Sequence, residues 1–215
     1  YSQKDKQEIR NLITAYNQLS TIEASGSPYI LTEEAIKDLH RIITQSIPHE
    51  SNIPGQYRNG MVHVGNNAHG GVYTLPKILD DIKNLMGEFI LWMNSPEILA
   101  LHPFIRAALA HYHFCRIHPF GDGNGRTARM IEALILQAAY IKYVPSDLSN
   151  YYYRNVDGYY IAFSACIKRK KDVTPFLIFM LNGAISSLEE TKEKILHSIR
   201  LSALREVYAS QRKEK

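Results

Sequence analysis

The sequence predicts an all-α, mainly helical protein with a single β-hairpin. Apolar residues recur at helical spacing through most of the 215 residues, and only residues 54–76 contain short β-prone runs. With 45% hydrophobic and 21% charged residues, the composition is typical of a globular chain, and this length is enough to bury a full core. We therefore expect a single domain over residues 1–215, with its core at about 32–185 and flanking helices at both ends.

The first four helices are predicted from their apolar faces and their start signals. The first helix carries Ile9, Leu12, Ile13, Tyr16 and Leu19 at helical spacing. Thr32 is expected to cap the second helix, whose apolar stripe is Ile36, Leu39, Ile42, Ile43 and Ile47. Pro76 is expected to start the third helix, because proline favours the first position of a helix. A fourth helix is expected from about 96 to 114.

The predicted hairpin lies between the second and third helices. Residues 61–64 (MVHV) and 72–75 (VYTL) are β-prone, and the segment from Gly65 to Gly71 between them is polar and rich in glycine. Such a tip is too polar for the core. The hairpin is therefore expected to project over a surface, either as an ordinary loop or as a clamp.

Three more helices are predicted in the second half of the chain. The first carries Met130, Ile131, Leu134, Ile135 and Ala138 and stops before Pro145. The next is expected over about 148–168. Residues 172–175 (DVTP) then indicate the start of a long helix, with apolar positions from Phe176 to Val207.

Charge and cysteine content exclude several classes of protein. The net charge is only +4, and the basic run from Lys168 to Lys171 is typical of a solvated helix end, so no nucleic-acid partner is expected. No stretch approaches the roughly 18 apolar residues of a membrane helix, and the polar start is unlike a signal sequence, so we expect a cytoplasmic protein without a membrane partner. Cys115 and Cys166 lie in apolar runs without a CxxC pair, which indicates buried free thiols. His111 and His113 are two apart on a predicted helix and point to different sides, so no shared zinc site is expected.

Polar and very small residues are concentrated in residues 118–129, HPFGDGNGRTAR. Their spacing fits neither a P-loop nor a Rossmann turn, and an EF-hand loop starting at Asp122 would lack two of its ligands. What remains is a helix, a glycine-rich bend and a second helix that starts near Gly125. Exposed N–H groups and the helix dipole at such a start bind anions, so phosphate is the expected ligand.

Four side chains of this bend suit the handling of a nucleotide, and a fifth suits the support of the bend. Arg126 and Arg129 are three residues apart, so they share a helix face and can hold successive phosphates. Asp122 can hold Mg²⁺ between phosphate oxygens. His118, with an ordinary pKa of about 6.5, can take the proton from an attacking hydroxyl. Phe120 is expected to anchor the bend in the core.

The bend resembles the signature of the Fic family. HPFGDGNGRTAR fits the family pattern HPFx[DE]GN[GK]Rxx[RK] at every defined position. The resemblance extends through PGQYRNGMVHVG, GGVYTLP, LAHYHFCRIHPF, LSNYYYRNVDGYY and DVTPF. It implies the mainly helical Fic fold and an enzyme that transfers AMP from ATP to a Ser, Thr or Tyr hydroxyl of a target protein.

The resemblance also implies a role for each residue of the motif. His118 would be the general base, and Asp122 would hold Mg²⁺. Residues 123–125 would surround the α- and β-phosphates, Arg126 would hold the β-phosphate and Arg129 the γ-phosphate. The expected substrate and cofactor are therefore ATP and Mg²⁺. The nucleotide-binding loop as a whole would comprise Phe120, Gly121, Asp122, Gly123, Asn124, Gly125, Arg126 and Arg129.

Outside the motif, the resemblance implies a docking surface and an adenine pocket. The hairpin at 61–75 resembles the flap with which the family holds an extended segment of the target protein by strand addition. Asn155, Tyr159 and Tyr160 resemble the residues that wall the adenine, although tyrosines here are equally typical of a core. Family members form dimers, so a homodimer is kept as a candidate assembly.

Three other functions are open at this point. A kinase branch of the family carries Lys in place of Gly125, so Gly125 argues against it. A de-AMPylating hydrolase and a catalytically silent nucleotide-binding regulatory module share the same core. Several family members carry an inhibitory helix with the pattern [ST]xxxE[GN]. LSTIEAS does not fit this pattern. Ser202 and Glu206 have its spacing, but Val207 stands where the pattern needs Gly or Asn. An inhibitory segment, if the protein has one, is expected before Tyr1.

Overall fold

The computed structural model describes residues 2–22, 26–64, 73–75, 78–169 and 172–213, and only the backbone at residues 63, 73–75 and 206–213. Its helices are α1 (Gln3–Ser20), α2 (Glu33–Thr44), α3 (Leu79–Met93), α4 (Pro96–Leu99), α5 (Pro103–Ile117), α6 (Asn124–Ala138), α7 (Val144–Arg154), α8 (Val156–Lys168) and α9 (Thr174–Lys213). Its strands are β1 (Val62–Val64) and β2 (Tyr73–Leu75). The prediction of a mainly helical protein is confirmed.

Local side-chain caps explain where several helices begin. Thr32 accepts a hydrogen bond from the N–H of Ala35 at 3.1 Å, so it caps α2 as predicted. The start of α9 is also as predicted, because Thr174 donates its N–H to the carboxylate of Asp172 at 3.0 Å. At the other end of α2, Asn11 of α1 donates its side-chain amide to the carbonyl of Gln45 at 2.8 Å. These contacts satisfy backbone groups that a helix end leaves without partners.

Three predicted helix boundaries are wrong. The third helix begins at Leu79 rather than at Pro76, which lies outside the described residues, and its first turn carries two aspartates that favour a helix N-terminus. The helix expected over 96–114 is two helices, because Pro103 lacks the N–H needed to continue α4 and instead starts α5. The helix expected over 148–168 is also two, since Asn155 leaves the helical conformation at ψ 41° between α7 and α8.

The two predicted β-prone runs pair with each other. β1 and β2 are antiparallel, with Val62 opposite Leu75 and Val64 opposite Tyr73. The polar tip that was predicted between them lies outside the described residues, as do the last two lysines of the basic run and the glutamate of LSTIEAS. The hairpin flap therefore stays a prediction.

α6 is the central helix of the molecule. Every residue from Met130 to Ala138 is buried, as expected of a helix that is covered on all sides. α5 packs along it, α1, α2 and α7 contact it, and α9 lies across α5, α7 and α8. Cys115 and Cys166 are buried free thiols, as predicted. No helix within the described ranges is long and apolar enough to cross a bilayer. The motif thus lies where the chain enters the best-packed helix of the core.

Candidate active site

The bend between α5 and α6 is built on close backbone packing. His118 ends α5 in the left-handed conformation at φ 54°, and Gly123 precedes α6 at φ 77°. A Cβ on Gly123 would lie 2.7 Å from the side chain of Thr44, and a Cβ on Gly121 would overlap the carbonyl oxygen of Ser51. Both positions therefore need glycine: Gly123 for its backbone angles, Gly121 for its packing.

Two residues of the predicted nucleotide loop hold the bend together instead of facing a ligand. The side chain of Asn124 accepts from the N–H of Phe120 at 2.9 Å and donates to its carbonyl at 2.8 Å. Phe120 is fully buried, and its ring stacks on His40 at 3.6 Å between centroids. The expected anchoring role fits this burial. A nucleotide could meet only the backbone of these two residues.

His40, which the sequence analysis did not single out, ties α2 to the bend. Its Nδ1 accepts from the N–H of Gly55 at 2.8 Å, so Nε2 carries the proton and donates to the carbonyl of Asp122 at 3.0 Å. Burial lowers the pKa of His40 to about 4. Asn52 adds a second support, since its side-chain oxygen accepts from the N–H of Asp122 at 3.1 Å. Asp122 is thereby fixed from both sides of its backbone.

The first N–H groups of α6 form a candidate anion seat. The earliest backbone bond into the helix runs from the N–H of Thr127 to the carbonyl of Gly123 at 2.8 Å. The N–H groups of residues 124–126 have no partner of this kind and point out of the helix end. A Cβ on Gly125 would meet only Nη1 of Arg129, at 3.7 Å, so the space above this residue is open. Helix N-termini of this kind attract phosphate.

Arg126 lies between two carboxylates at this seat. Its Nη2 donates to Oδ2 of Asp122 at 2.9 Å, and its Nη1 is 3.0 Å from Oε1 of Glu8 on α1. The contact with Glu8 is an ion pair without hydrogen-bond geometry, because Nη1 makes no hydrogen bond. Burial alone raises the pKa of Asp122, but the charge of Arg126 and the N–H of Gly123 hold it below its usual value. Asp122 is therefore ionised at neutral pH.

His118 is held as a neutral base. Its Nδ1 is 3.3 Å from the carbonyl oxygen of Cys115, which can only accept, so Nδ1 carries the proton and Nε2 keeps its lone pair. Burial lowers the pKa of His118 to about 4, opposed by this hydrogen bond and aided by the charge of Arg58. Arg58 is buried and donates Nε to the carbonyl of His118 at 2.7 Å. The buried cation thus fixes the backbone of the base and disfavours its protonation.

A buried polar network lies behind the site. Nδ1 of His111 is 2.6 Å from Oε2 of Glu132, and Nε2 is 3.0 Å from the hydroxyl of Tyr159. Burial lowers the pKa of His111, but contacts with the Cys115 thiol and with Glu132 outweigh it and raise the pKa to about 9. The raised pKa and the 2.6 Å contact favour a proton on Nδ1, facing the Glu132 carboxylate. Tyr152 donates a further hydrogen bond to Glu132 at 3.1 Å.

The three residues considered for the adenine pocket differ in their surroundings. The hydroxyl of Tyr159 belongs to the buried network, although its ring is near enough to Arg129 for that charge to act on its pKa. Tyr160 is half-buried and contacts the ring of Tyr159 edge-on at 5.4 Å between centroids. Asn155 is exposed, and its side chain donates to the carbonyl of Tyr151 at 2.9 Å. An adenine role for them stays a prediction.

The described residues that could hold a metal ion are few. No group of three or more His, Cys, Asp or Glu side chains is close enough to bind one in the described part of the chain. The motif offers one ionised carboxylate, that of Asp122. One carboxylate together with phosphate oxygens is a common arrangement for Mg²⁺, which keeps several waters. The donor set therefore fits a Mg²⁺ ion that arrives with a phosphate ligand.

Comparison with known proteins identifies the family. Residues 30–136 match the Fic/DOC family. Protein adenylyltransferase Fic of Drosophila erecta is 32% identical over 160 residues, which are 73% of this chain and 29% of that protein. Protein adenylyltransferase Fic of Aedes aegypti is 31% identical over 134 residues, which are 62% of this chain and 25% of that protein. The chain belongs to the Fic/DOC family and spans less than a third of the length of these relatives.

Solved structures agree with this assignment. A Fic family protein from Desulfovibrio desulfuricans G20 has a TM-score of 0.74 and 26% identity, and the match covers 90% of this chain and 55% of that one. Fic-1 from C. elegans (residues 134–508) has a TM-score of 0.65 and 21% identity, covering 92% of this chain and 54% of that one. At its lower identity, the second structure supports the fold alone.

Proposed function

We propose that the chain is the catalytic part of a protein adenylyltransferase that transfers AMP from ATP to a hydroxyl of a target protein. The observation that carries the proposal is the juxtaposition of an open helix N-terminus with a neutral imidazole at the other end of the same bend. The relatives named protein adenylyltransferase Fic support the reaction type. We also propose that residues 1–215 form one Fic-type domain.

In the proposed reaction the imidazole of His118 accepts a proton, and the start of α6 stabilises charge on the phosphates. The target's hydroxyl oxygen forms a bond to the α-phosphorus of ATP while the bond from that phosphorus to the bridging oxygen breaks and pyrophosphate leaves. Nε2 of His118 takes the hydroxyl proton, because its lone pair is free and its low pKa keeps it unprotonated at neutral pH. The N–H groups of residues 124–126 stabilise charge on the phosphates.

The two arginines would bind the outer phosphates. Arg126 would exchange its contacts with Asp122 and Glu8 for the β-phosphate, and Arg129, whose guanidinium lies beside Gly125, would take the γ-phosphate. Both arginines stand on the first two turns of α6, on the face nearest the bend. Asp122 would hold Mg²⁺, which supplies further neutralisation of phosphate charge when it is bound.

The target protein would dock beside this site on the hairpin at 61–75. Within the described residues β1 and β2 form a sheet of two strands, so a third strand could join an outer edge of this sheet. Met61, which precedes β1, is 65% exposed and could contact a side chain of the docked segment. Backbone pairing of this kind selects an extended segment more than a particular sequence.

The test is transfer of radiolabel from ATP and Mg²⁺ to protein. α-labelled and γ-labelled ATP are compared with the 215-residue chain, with His118→Ala and with Arg129→Ala. The proposal expects α-label on protein, none from γ-labelled ATP, loss of transfer in His118→Ala and a raised KM for ATP in Arg129→Ala. Transfer of γ-label would indicate a kinase instead. If AMP is removed from a modified target, the chain is a hydrolase, and with neither reaction it is a silent module.

A further inference from the structure

One face of α9 carries an exposed apolar stripe with the spacing of a coiled coil. Positions three and four residues apart alternate along it, so the side chains line up on one side of the helix at the a and d positions of successive heptads. Six of these side chains are large, apolar and between 38% and 59% exposed: Ile178, Leu181, Ile185, Leu188, Ile195 and Ile199. We call this set the α9 stripe. Lys192 occupies the stripe position between Leu188 and Ile195.

The α9 stripe does not face the core of its own chain. The buried side of α9 is formed by Phe176, Met180, Ala184 and Ser187, which lie roughly a third of a turn around the helix from the stripe. Two ion pairs, Arg154 with Glu190 and Lys194 with Asp147, join α9 to α7 on the side away from the stripe. Nothing in the described part of the chain covers the stripe.

The second half of α9 needs a partner to explain its length. From residue 192 to 205 every residue is exposed except Leu196, which is half-buried. An isolated helical segment of this length is marginal in water, because most helical stability in proteins comes from packing of an apolar face. The stripe continues into this segment with Ile195 and Ile199. A surface that packs on the stripe would supply the missing stabilisation.

We propose that the α9 stripe is a dimer interface, on which a second copy of this chain packs in the antiparallel direction. Reversal about residue 190 places Leu181 opposite Ile199 of the second copy and Ile185 opposite Ile195. In each copy, the half of the stripe that lies along the folded domain is then covered by the half of the other copy's stripe that extends past its own domain. Each copy thus covers what the other leaves exposed, which is the self-complementarity of a two-fold interface.

The charge of Lys192 favours this direction. In a parallel dimer the two copies of Lys192 would meet in one layer, where like charges repel. In the antiparallel dimer each Lys192 lies opposite Leu188 of the other copy and beside its Glu189. The long side chain of Lys192 can cover the leucine while its ammonium group approaches the glutamate.

The area of the stripe is sufficient for a specific dimer. Six side chains on each copy, each about half exposed, would remove up to roughly 1,200 Å² from water in the pair, which reaches the lower limit of standard specific interfaces. Residues at the edges of the stripe would add to it. The proposal is independent of the proposed function, because no motif residue lies on α9.

The test measures the mass of the 215-residue chain by sedimentation over a concentration series, alone and as variants. The wild type is expected to dimerise, and Ile195→Glu with Ile199→Glu should weaken the dimer at least tenfold. Leu204→Glu is the matched control: Leu204 is 54% exposed on the same helix, close to the 53% of Ile195, but lies off the stripe. It should dimerise like the wild type. Circular dichroism checks that helix content is unchanged.

Cross-linking then tests the direction of pairing. Ile185→Cys and Ile195→Cys are made separately, mixed and oxidised. If the two helices pack antiparallel, the mixed disulfide between residues 185 and 195 should form. Disulfides between two copies of the same variant should be rare. A monomeric wild type, a dimer that survives both glutamates, or a control that dissociates equally would each overturn the interface. Disulfides formed only between identical copies would overturn its direction.

Discussion

The protonation of His118 offers a quantitative check on the proposed base. Burial lowers its pKa from 6.5 to about 4, and the Nδ1 proton is directed at the carbonyl of Cys115. This difference of about 2.5 pH units, at about 1.4 kcal/mol per unit, corresponds to at most about 3.5 kcal/mol of free energy. Between pH 6.5 and 4 the unfolded chain binds a proton at this residue and the folded chain does not. The free energy of unfolding should therefore fall as the pH decreases through this window.

The assay is a pH titration of the histidine ring nitrogens by NMR in ¹⁵N-labelled protein, with His118→Gln identifying the signal. We expect a midpoint near pH 4 and, above it, the tautomer with the proton on Nδ1. The acidic limb of kcat/KM for AMP transfer should likewise lie well below pH 6.5. A midpoint near 6.5, or a proton on Nε2 at neutral pH, would refute the assignment of His118 as a buried, pre-oriented base.

Three further outcomes follow from the packing of the bend and its surroundings. Gly121→Ala should lower the free energy of unfolding by about 1–3 kcal/mol in urea, because the new methyl overlaps a neighbouring carbonyl, whereas Gly60→Ala, with open space around it, should not. Glu132→Gln should cost about 3–5 kcal/mol, since it breaks the fully buried contact between His111 and a carboxylate, and Glu190→Gln, whose ion pair is exposed, less than about 1 kcal/mol. Equal effects within either pair would contradict the packing argument. Glu8→Gln should lower the Kd for ATP by up to about fivefold in calorimetry, because Arg126 then has one fewer competing carboxylate; a weaker Kd would mean that Glu8 orients the arginine.

Local signals in the sequence predicted the parts of the site that depend on neighbouring residues. The glycines, arginines, aspartate and histidine of the motif lie within twelve residues, so their approach to one another needs only a bend and a helix start. Thr32 and the residues before Thr174 predicted helix starts for the same reason. The boundaries at Pro103 and Asn155 were missed because apolar periodicity runs through both breaks.

Contacts between distant segments could not be predicted in this way. His40 and Arg58 reach the bend from α2 and the segment after it, and Glu8 reaches Arg126 from α1. Of these three residues, only His40 had a sequence pattern that could have indicated its role. It is a polar residue on the same apolar face of α2 as Ile36. Pairing of the other two is decided by how α1 and α2 pack on α6, which a pattern along one helix does not encode.

The central claim is that the start of α6 seats a triphosphate while Nε2 of His118 faces the α-phosphorus. A crystal structure of the chain with Mg²⁺ and a non-hydrolysable ATP analogue tests it most directly. We expect phosphate oxygens within hydrogen-bond distance of the N–H groups of residues 124–126, and Arg126 moved from Glu8 onto the phosphates. A nucleotide bound elsewhere, or a His118 ring whose Nε2 points away from the phosphates, would contradict the account.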